Sequence, residues 1–232
     1  MFKIIKLKNL LIALALITAS ILCSVGIVAV VESKAIPRPK YTIVIDAGHG
    51  GRDDGSTGVT GVKESDINLK IAKTLKVYLE TLGIKVILTR ADGNGLYDAN
   101  ATNFKASDMA KRIEIIDNAK ADMVISIHCN SYKNSSESGA QAFYQEDDEN
   151  GKKFAEDIQS QLINQLNGAR DSANKGDFYI LKESKTTAVL IECGFLSNPN
   201  EEKLLNSTNY QNKVAYAIMC GVVKYFELCG ND

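Results

Sequence analysis

The sequence predicts an α/β domain built on a largely parallel sheet. Short β-branched runs alternate with longer segments of helical apolar spacing from about residue 41 to 227. The strand runs are apolar almost throughout, as in parallel strands buried on both faces. Strand–helix alternation of this kind places helices over a parallel sheet. About 190 residues follow the N-terminal segment, enough for one substantial core, and no internal repeat marks a second domain.

The elements follow in order. Tyr41 to Ile45 reads as a buried strand, ending at Asp46 before a Gly-rich loop that carries His49. Ser65 reads as the cap of a helix over 66–82, with Ile67, Ile71, Leu75, Tyr78, Leu79 and Leu82 on one face and Gly83 after it. Residues 85–89 form the next strand, and the polar, Gly-containing stretch 91–106 a surface loop. Ser107 opens a second helix to about Lys120, turning Met109, Ile113 and Ile116 inward. Residues 123–127 are a strand ending at His128, 139–144 an edge strand, and 151–167 a helix buried through Phe154, Ile158, Leu162 and Leu166. Residues 178–181 read as a short strand and 187–191 as another, ending at Glu192. The last helix, 210–227, turns Val214, Ile218, Val222 and Phe226 inward.

The N-terminus stands apart. Lys3, Lys6 and Lys8 precede a charge-free apolar run of 22 residues, Leu10 to Val31. That pattern is a signal peptide or a membrane anchor, since about 20 apolar residues span a bilayer. Ser33-Lys34-Ala35 offers a cleavage site before Ile36, so residues 1–35 read as signal peptide or membrane anchor, 36–40 as a Pro-containing linker and 41–228 as the folded domain. The lysines keep the N-terminus inside and the domain outside the cytoplasm. Without residues 1–35 the chain has 23 basic and 27 acidic side chains, net −4, and no Lys/Arg run. Nucleic acid is not an expected partner, and the membrane is met only through the N-terminal segment.

The chain has only two histidines, His49 and His128, each just beyond a strand. For either alone an ordinary polar loop residue is the commoner case. Context changes this. Ligands of parallel sheets bind outside the carboxyl ends of the strands. His49, His128 and Glu192 all follow strands, and Glu64 lies on the loop returning from the first. Residues 15, 79 and 143 positions from His49 therefore converge on one edge. Imidazole and carboxylate together are the usual ligands of catalytic zinc. For Glu192 the bland alternative is pairing with a lysine, which its place after Val-Leu-Ile disfavours. Asn130 reads equally as a substrate contact or a loop holder. Arg90 and Arg112 read as holding the fold, and Asp46 as orienting a ligand histidine.

Of five cysteines, Cys23 lies in the apolar run and the others fit no CxxC pattern. Cys129 and Cys193 each neighbour a site residue, His128 and Glu192. In extended chain, neighbours face opposite sides, so both cysteines are expected in the core as small hydrophobes. A bridge between them stays open.

Four motifs carry a family resemblance: Ile45-Asp46-Ala47-Gly48-His49-Gly50-Gly51, Leu88-Thr89-Arg90, Ser126-Ile127-His128-Cys129-Asn130-Ser131, and Ile191-Glu192-Cys193-Gly194-Phe195-Leu196-Ser197-Asn198. From Thr42 to Phe226 the chain resembles the zinc-dependent N-acetylmuramoyl-L-alanine amidases of the amidase-3 family. Ala is commoner in that family at position 129 and Thr at 193. The resemblance implies a mixed sheet of about six strands flanked by helices. It implies Zn2+ held by His49, Glu64 and His128, with Glu192 as catalytic acid/base. The bond cut would be the peptidoglycan amide between the lactyl group of muramic acid and L-alanine.

Tyr144 passes into the following helix through a short acidic loop, leaving no room for the plug helix of some family members, and no wall-binding repeat is apparent. This architecture is similar to the spore-cortex amidases of endospore formers, which act with a deacetylase to make muramic-δ-lactam, and an accessory protein is conceivable beside them. The rivals are a vegetative autolysin, a zinc carboxypeptidase using Arg170 to hold a terminal carboxylate, and a silent wall-binding protein, of which loss of Glu192 would be the mark.

Overall fold

Tyr41 to Ala47 is rich in β-branched residues, and Thr42–Ala47 forms the first strand, β1. It lies parallel between Lys85–Leu88 (β2) and Met123–Asn130 (β3). Ala188–Phe195 (β6) continues the parallel set beside β3. Gln141–Tyr144 (β4) runs antiparallel to β6, and Asn174–Lys175 (β5) closes the edge. The result is one six-stranded mixed sheet in the order β2-β1-β3-β6-β4-β5. The computed structural model describes residues 16–18 and 40–227. The export segment and linker expected over 1–40 thus lie outside the described residues except for 16–18 and Lys40. Among the described residues no helix is long and apolar enough to cross a membrane.

Period-two alternation divides the strands between two cores. Ile43 and Ile45 of β1, Ile125 and Ile127 of β3, and Val189 and Ile191 of β6 join one core. Over them pack three helices: Glu64–Thr81 (α1), Glu149–Gln165 (α3) and Thr208–Tyr225 (α6). Val44, Val124 and Leu190 face the other side, beneath Phe104–Ala119 (α2) and Tyr179–Glu183 (α4). Pro199–Leu205 (α5) links β6 to α6 and puts Leu205 into the first core. Cys129 and Cys193 fall in the first core as free thiols, with no bridge, as alternation required.

Several boundaries differ from the sequence reading. α1 begins at Glu64, not after Ser65, and has no side-chain cap. The preceding loop supplies carbonyls instead: Glu64 N donates to Ser56 O at 2.9 Å and Ser65 N to Asp54 O at 3.1 Å. These satisfy first-turn amides that a cap would take, and they put Glu64 on the helix rather than the loop. Leu82, expected inward, is 44% exposed. Asn103, not Ser107, caps α2, and Ser107 Oγ accepts from Asp98 N. Residues 178–181 form not a strand but the start of α4, because Ile180 and Leu181 both bury in the second core. A four-residue apolar run does not distinguish the two states. The edge place goes to β5, so β4 is an inner strand. α5 was not anticipated, although Asn198 caps it and Pro199 occupies its first turn.

At the carboxyl end of β1 the buried polar groups form a closed network. Asp46 accepts from Thr89 Oγ1 at 2.7 Å, Ser126 Oγ at 2.7 Å and Arg112 Nη1 at 2.6 Å. Arg112 also donates to Asp108 and to the carbonyls of Ala47 and His49. Arg90 donates to the carbonyls of Ala47, Gly48, Ser65 and Asp92. The two arginines hold the fold as expected. Asp46, however, is bonded to none of the histidines; its two oxygens meet Thr89, Ser126 and Arg112 instead.

Burial works against the Asp46 charge, but Arg112 and the Thr89 and Ser126 hydroxyls outweigh it and hold its pKa at about 2. A carboxylate with a depressed folded-state pKa stabilises the fold fully above its ordinary value and loses that as pH falls towards 2. Arg112→Ala leaves this charge buried and unpaired. It should lower unfolding free energy by roughly 3–5 kcal/mol, read by urea denaturation at neutral pH. A loss under about 1 kcal/mol would show the network to be peripheral.

Candidate metal centre and cleft

The same alternation that buries the cysteines turns Asp46, Ser126, His128 and Glu192 to the opposite side of the sheet. Glu192 pairs in register with His128 across β6 and β3. His49 comes from the turn after β1 and has φ +62, a left-handed conformation uncommon outside glycine. That turn is locked by reciprocal bonds between Gly50 and Asp53, N to O at 2.8 and 3.2 Å. Glu64 arrives on the first turn of α1. Together His49, Glu64 and His128 bring three ligand atoms within 4.8 Å of one another.

The cradle is tight. A Cβ on Gly48 would lie 2.2 Å from the His128 ring, and one on Gly55 2.6 Å from Glu64 Oε2. Only glycine lets the backbone approach at these two points. The imidazoles stand edge to face, centroids 5.0 Å apart. Glu64 Oε1 lies 3.2 Å from His49 Nε2 and 3.0 Å from His128 Nδ1. The same oxygen accepts from Cys129 N at 3.1 Å and Asn68 Nδ2 at 3.3 Å. Four donors exceed what one oxygen satisfies with two lone pairs. Two imidazoles converging on an already saturated carboxylate is a donor set suited to a shared cation.

Residues that the sequence reading did not single out hold this set. Asp53 Oδ2 meets His49 Nδ1 at 2.8 Å, the orienting role expected of Asp46. Ser56 N donates to Glu64 Oε2 at 2.8 Å. Asn68 is fully buried, bonded to Glu64 and to the Gly48 carbonyl. Its signal was visible: one amide among Ile67, Ile71 and Leu75, one helical turn after Glu64. Asp53 had no such signal in a polar loop. Asn130 lines the cleft, and its Oδ1 accepts from Ser131 N at 2.8 Å, the loop-holding alternative. Arg170 is not among the cleft-lining residues. It pairs with Glu137 at 2.6 Å and lies against the Phe195 ring.

Beyond Glu192 the strand bulges. His128 pairs with Glu192 but Asn130 with Phe195, so Cys193 and Gly194 oppose Cys129 alone. Gly194 takes φ +146. The displaced backbone is satisfied from outside the sheet: Tyr210 Oη donates to Cys193 O at 2.9 Å, and Phe195 N donates to Glu201 Oε2 at 2.7 Å. Glu192 itself is 8% exposed, and its Oε2 has no hydrogen-bond partner among the described residues.

The electrostatics differ sharply between the two glutamates. Burial opposes the charge on Glu64, but the bonds from His128 and His49 hold its carboxyl well below the usual range. Burial likewise opposes charge on His49, yet Glu64 and Asp53 raise its pKa to about 9. Glu192 has no such bond. Burial, helped by the Glu64 charge and opposed by His128 and His49, raises it to about 7. Burial pushes the Cys129 and Cys193 thiols well up, so neither is a ready thiolate.

Comparison with known proteins agrees with this arrangement. Residues 43–224 match the amidase-3 family, described as N-acetylmuramoyl-L-alanine amidase. The germination-specific N-acetylmuramoyl-L-alanine amidase of Bacillus subtilis is 35% identical over 196 residues, covering 83% of this chain and 82% of that protein. The amidase AmiA of Escherichia coli is 30% identical over 240 residues, covering 83% and 78%. The CwlD amidase of Clostridioides difficile, solved in complex with the GerS lipoprotein, is 39% identical with a TM-score of 0.78, covering 81% of this chain and 99% of that one. The chain therefore belongs to the amidase-3 family, and is an N-acetylmuramoyl-L-alanine amidase acting on peptidoglycan.

Proposed function

We propose that the protein is a zinc amidase of the spore cortex, with Glu192 as its acid/base. The observation that carries the mechanism is the buried, unpartnered Oε2 of Glu192, in register with His128 and beside the three converging ligand atoms. His49, Glu64 and His128 would hold the ion. When bound, zinc would polarise the amide carbonyl and acidify water. Glu192 takes a proton from the attacking water while the water oxygen adds to the lactyl carbonyl carbon. The C–N bond then breaks as Glu192 returns that proton to the alanine nitrogen, leaving a lactyl carboxylate and a free amine. A carboxyl with pKa about 7 suits both transfers near neutrality. Asp53 fixes the His49 ring, and Ser56 and Asn68 fix Glu64.

The cortex role is supported by the likeness to the germination-specific amidase and by the short β4–α3 connection, residues 145–148, which carries no plug. Export through residues 1–35 would put the domain outside the cytoplasm, and a deacetylase would complete muramic-δ-lactam. The CwlD relative is described in complex with a lipoprotein, so an accessory protein of that kind is part of the proposal. Arg170, paired with Glu137, does not serve the carboxypeptidase alternative. Mass spectrometry of digested cortex peptidoglycan tests the reading. Free peptides beginning with L-alanine are expected, and glycan-linked peptides shortened at the C-terminus would refute it.

Glu192→Gln should lower turnover by about 10²–10⁴-fold with zinc content unchanged. Loss of zinc in that variant would make Glu192 a ligand. His128→Ala should lose both zinc and activity while remaining folded, checked by metal analysis and circular dichroism. Because His49 holds a proton up to about pH 9 without metal, protons compete with zinc below that value. Zinc affinity should therefore rise from pH 6 to pH 9, measured by chelator competition. Cys129→Ala and Cys193→Ala should keep activity within about tenfold of wild type, since neither thiol faces the cleft; a loss as large as that of His128→Ala would mark one as a ligand.

A further inference from the structure

Two depressions meet at the ligand set, and they differ in chemistry. One is the cleft in which Ser56, Asn130, Ser131 and Glu192 supply the polar groups, with Phe178 shared between the two depressions. The other, a pocket of about 250 Å3, adjoins it at the same two histidines and extends between α2 and α4. Its walls are Tyr97, Phe104, Met109, Phe178 and Tyr179. Its charged groups are paired among themselves: Arg112 with Asp46 and Asp108, and Asp53 with His49 and with Lys105 at the rim. The pocket thus offers a ligand apolar and aromatic surface, with little polar demand of its own.

These walls are set in place. Tyr97 and Phe104 meet edge to face at 5.5 Å, and Phe178 is braced the same way by Phe143 at 5.4 Å. Tyr97 Oη also accepts from Arg52 N at 3.0 Å. Tyr179, in contrast, is 50% exposed at the rim. Met109, Phe143 and Phe178 also pack against the second core, whereas Tyr97, Phe104 and Tyr179 are not part of it. Preformed apolar pockets with few polar groups are where small ligands bind.

We infer that this pocket takes the N-acetylated sugar on the acyl side of the scissile amide, and that the polar cleft takes the peptide. The inference rests on the amidase reading. The argument is one of connectivity and surface chemistry. On the acyl side the sugar ring begins only a few bonds from the carbonyl carbon, so it must lie directly against the ligand set. The pocket lies there, sharing His49 and His128 with the cleft. A pyranose presents C–H faces and an acetyl methyl, which suit aromatic rings. On the amine side the first side chain is only a methyl, followed by polar backbone, which suits the hydroxyls and amides of the cleft. An alanine methyl would leave a pocket of this volume largely unfilled.

The test compares two substrates with the same peptide: an N-acetylmuramoyl-L-alanyl peptide and the N-lactoyl-L-alanyl peptide that lacks the sugar. Release of the L-alanyl peptide gives kcat/KM for each. Wild-type protein should prefer the muramoyl substrate by at least about tenfold, and Tyr179→Ala should reduce that ratio by about tenfold. Tyr179→Phe, which keeps the ring, should preserve it. Titration of the Glu192→Gln protein with the two peptides reads the same preference without turnover. A wild-type ratio near one, or a ratio unchanged in Tyr179→Ala, overturns the pocket assignment while leaving the amidase reading intact. Cleavage of neither substrate by zinc-loaded wild type overturns both.

Discussion

Two buried guanidinium groups hold the turn on which the site depends. A chain leaving a parallel strand must reverse quickly, and the carbonyls of Ala47, Gly48 and His49 then need donors from outside the sheet; Asn68 reaches only that of Gly48. Arg90 and Arg112 take all three. Their donors are fixed in direction, so the turn is fixed with them, and His49 can be kept at a positive φ. Asp46 balances Arg112, and the hydroxyls of Thr89 and Ser126 complete the carboxylate. Three neighbouring strands are thereby joined by polar bonds at the edge where the chemistry lies. Breaking one partner exposes the others to a desolvation cost without compensation.

With the turn fixed, the remaining problem is to bring two carboxylates close together and give them different states. Glu64 receives bonds from both imidazoles, two backbone amides and Asn68, so its negative charge is held. Glu192 receives none at Oε2 and is nearly as buried. Its charge is opposed by desolvation and by Glu64, and favoured only at a distance by the histidines. The same residue type therefore serves two ends: one carboxyl fixed as an anion, the other able to exchange a proton near neutrality. The difference comes from hydrogen-bond supply, which the topology controls. Glu64 sits where a loop and a helix start meet, whereas Glu192 sits on a strand just before pairing is interrupted.

Much of this was legible in the chain. Strands buried on both faces read as unbroken β-branched runs, so β1, β3 and β6 were clear and the site edge with them, although His128 and Glu192, read as following their strands, lie within β3 and β6. Period-two alternation placed Cys129 and Cys193 in the core without reference to any partner. What was not legible depended on distant contacts. The start of α1 is set by carbonyls from Asp54 and Ser56, which no local cap signal reports. α4 is helical because two adjacent apolar residues must both enter the second core, a demand made by α2 and β6 rather than by the segment itself. Asp53 gains its role only when the Gly50 turn folds it back on His49. Asp46 was assigned to a histidine because the three donors that occupy it come from distant segments, the residue after β2, β3 and α2.

The segment after Glu192 shows why a motif can extend well past the residue that does the chemistry. If β6 continued in register, pairing with β3 would simply run on past the site. The bulge at Cys193 and Gly194 shifts the register, leaving Asn130 opposite Phe195, and it frees a carbonyl and an amide in a buried place. Tyr210 and Glu201 take them, and Glu201 also accepts from Gly139 N at 2.9 Å, tying the start of β4 to the same point. Ser197 Oγ accepts from Tyr132 N at 3.0 Å, and Asn198 both caps α5 and donates to Glu137 O at 3.1 Å. The run Gly194-Phe195-Leu196-Ser197-Asn198 is thus a device for turning the chain away from the sheet with its backbone bonds satisfied. Its effect on function is indirect but physical. It fixes the loop after β3 as one wall of the cleft.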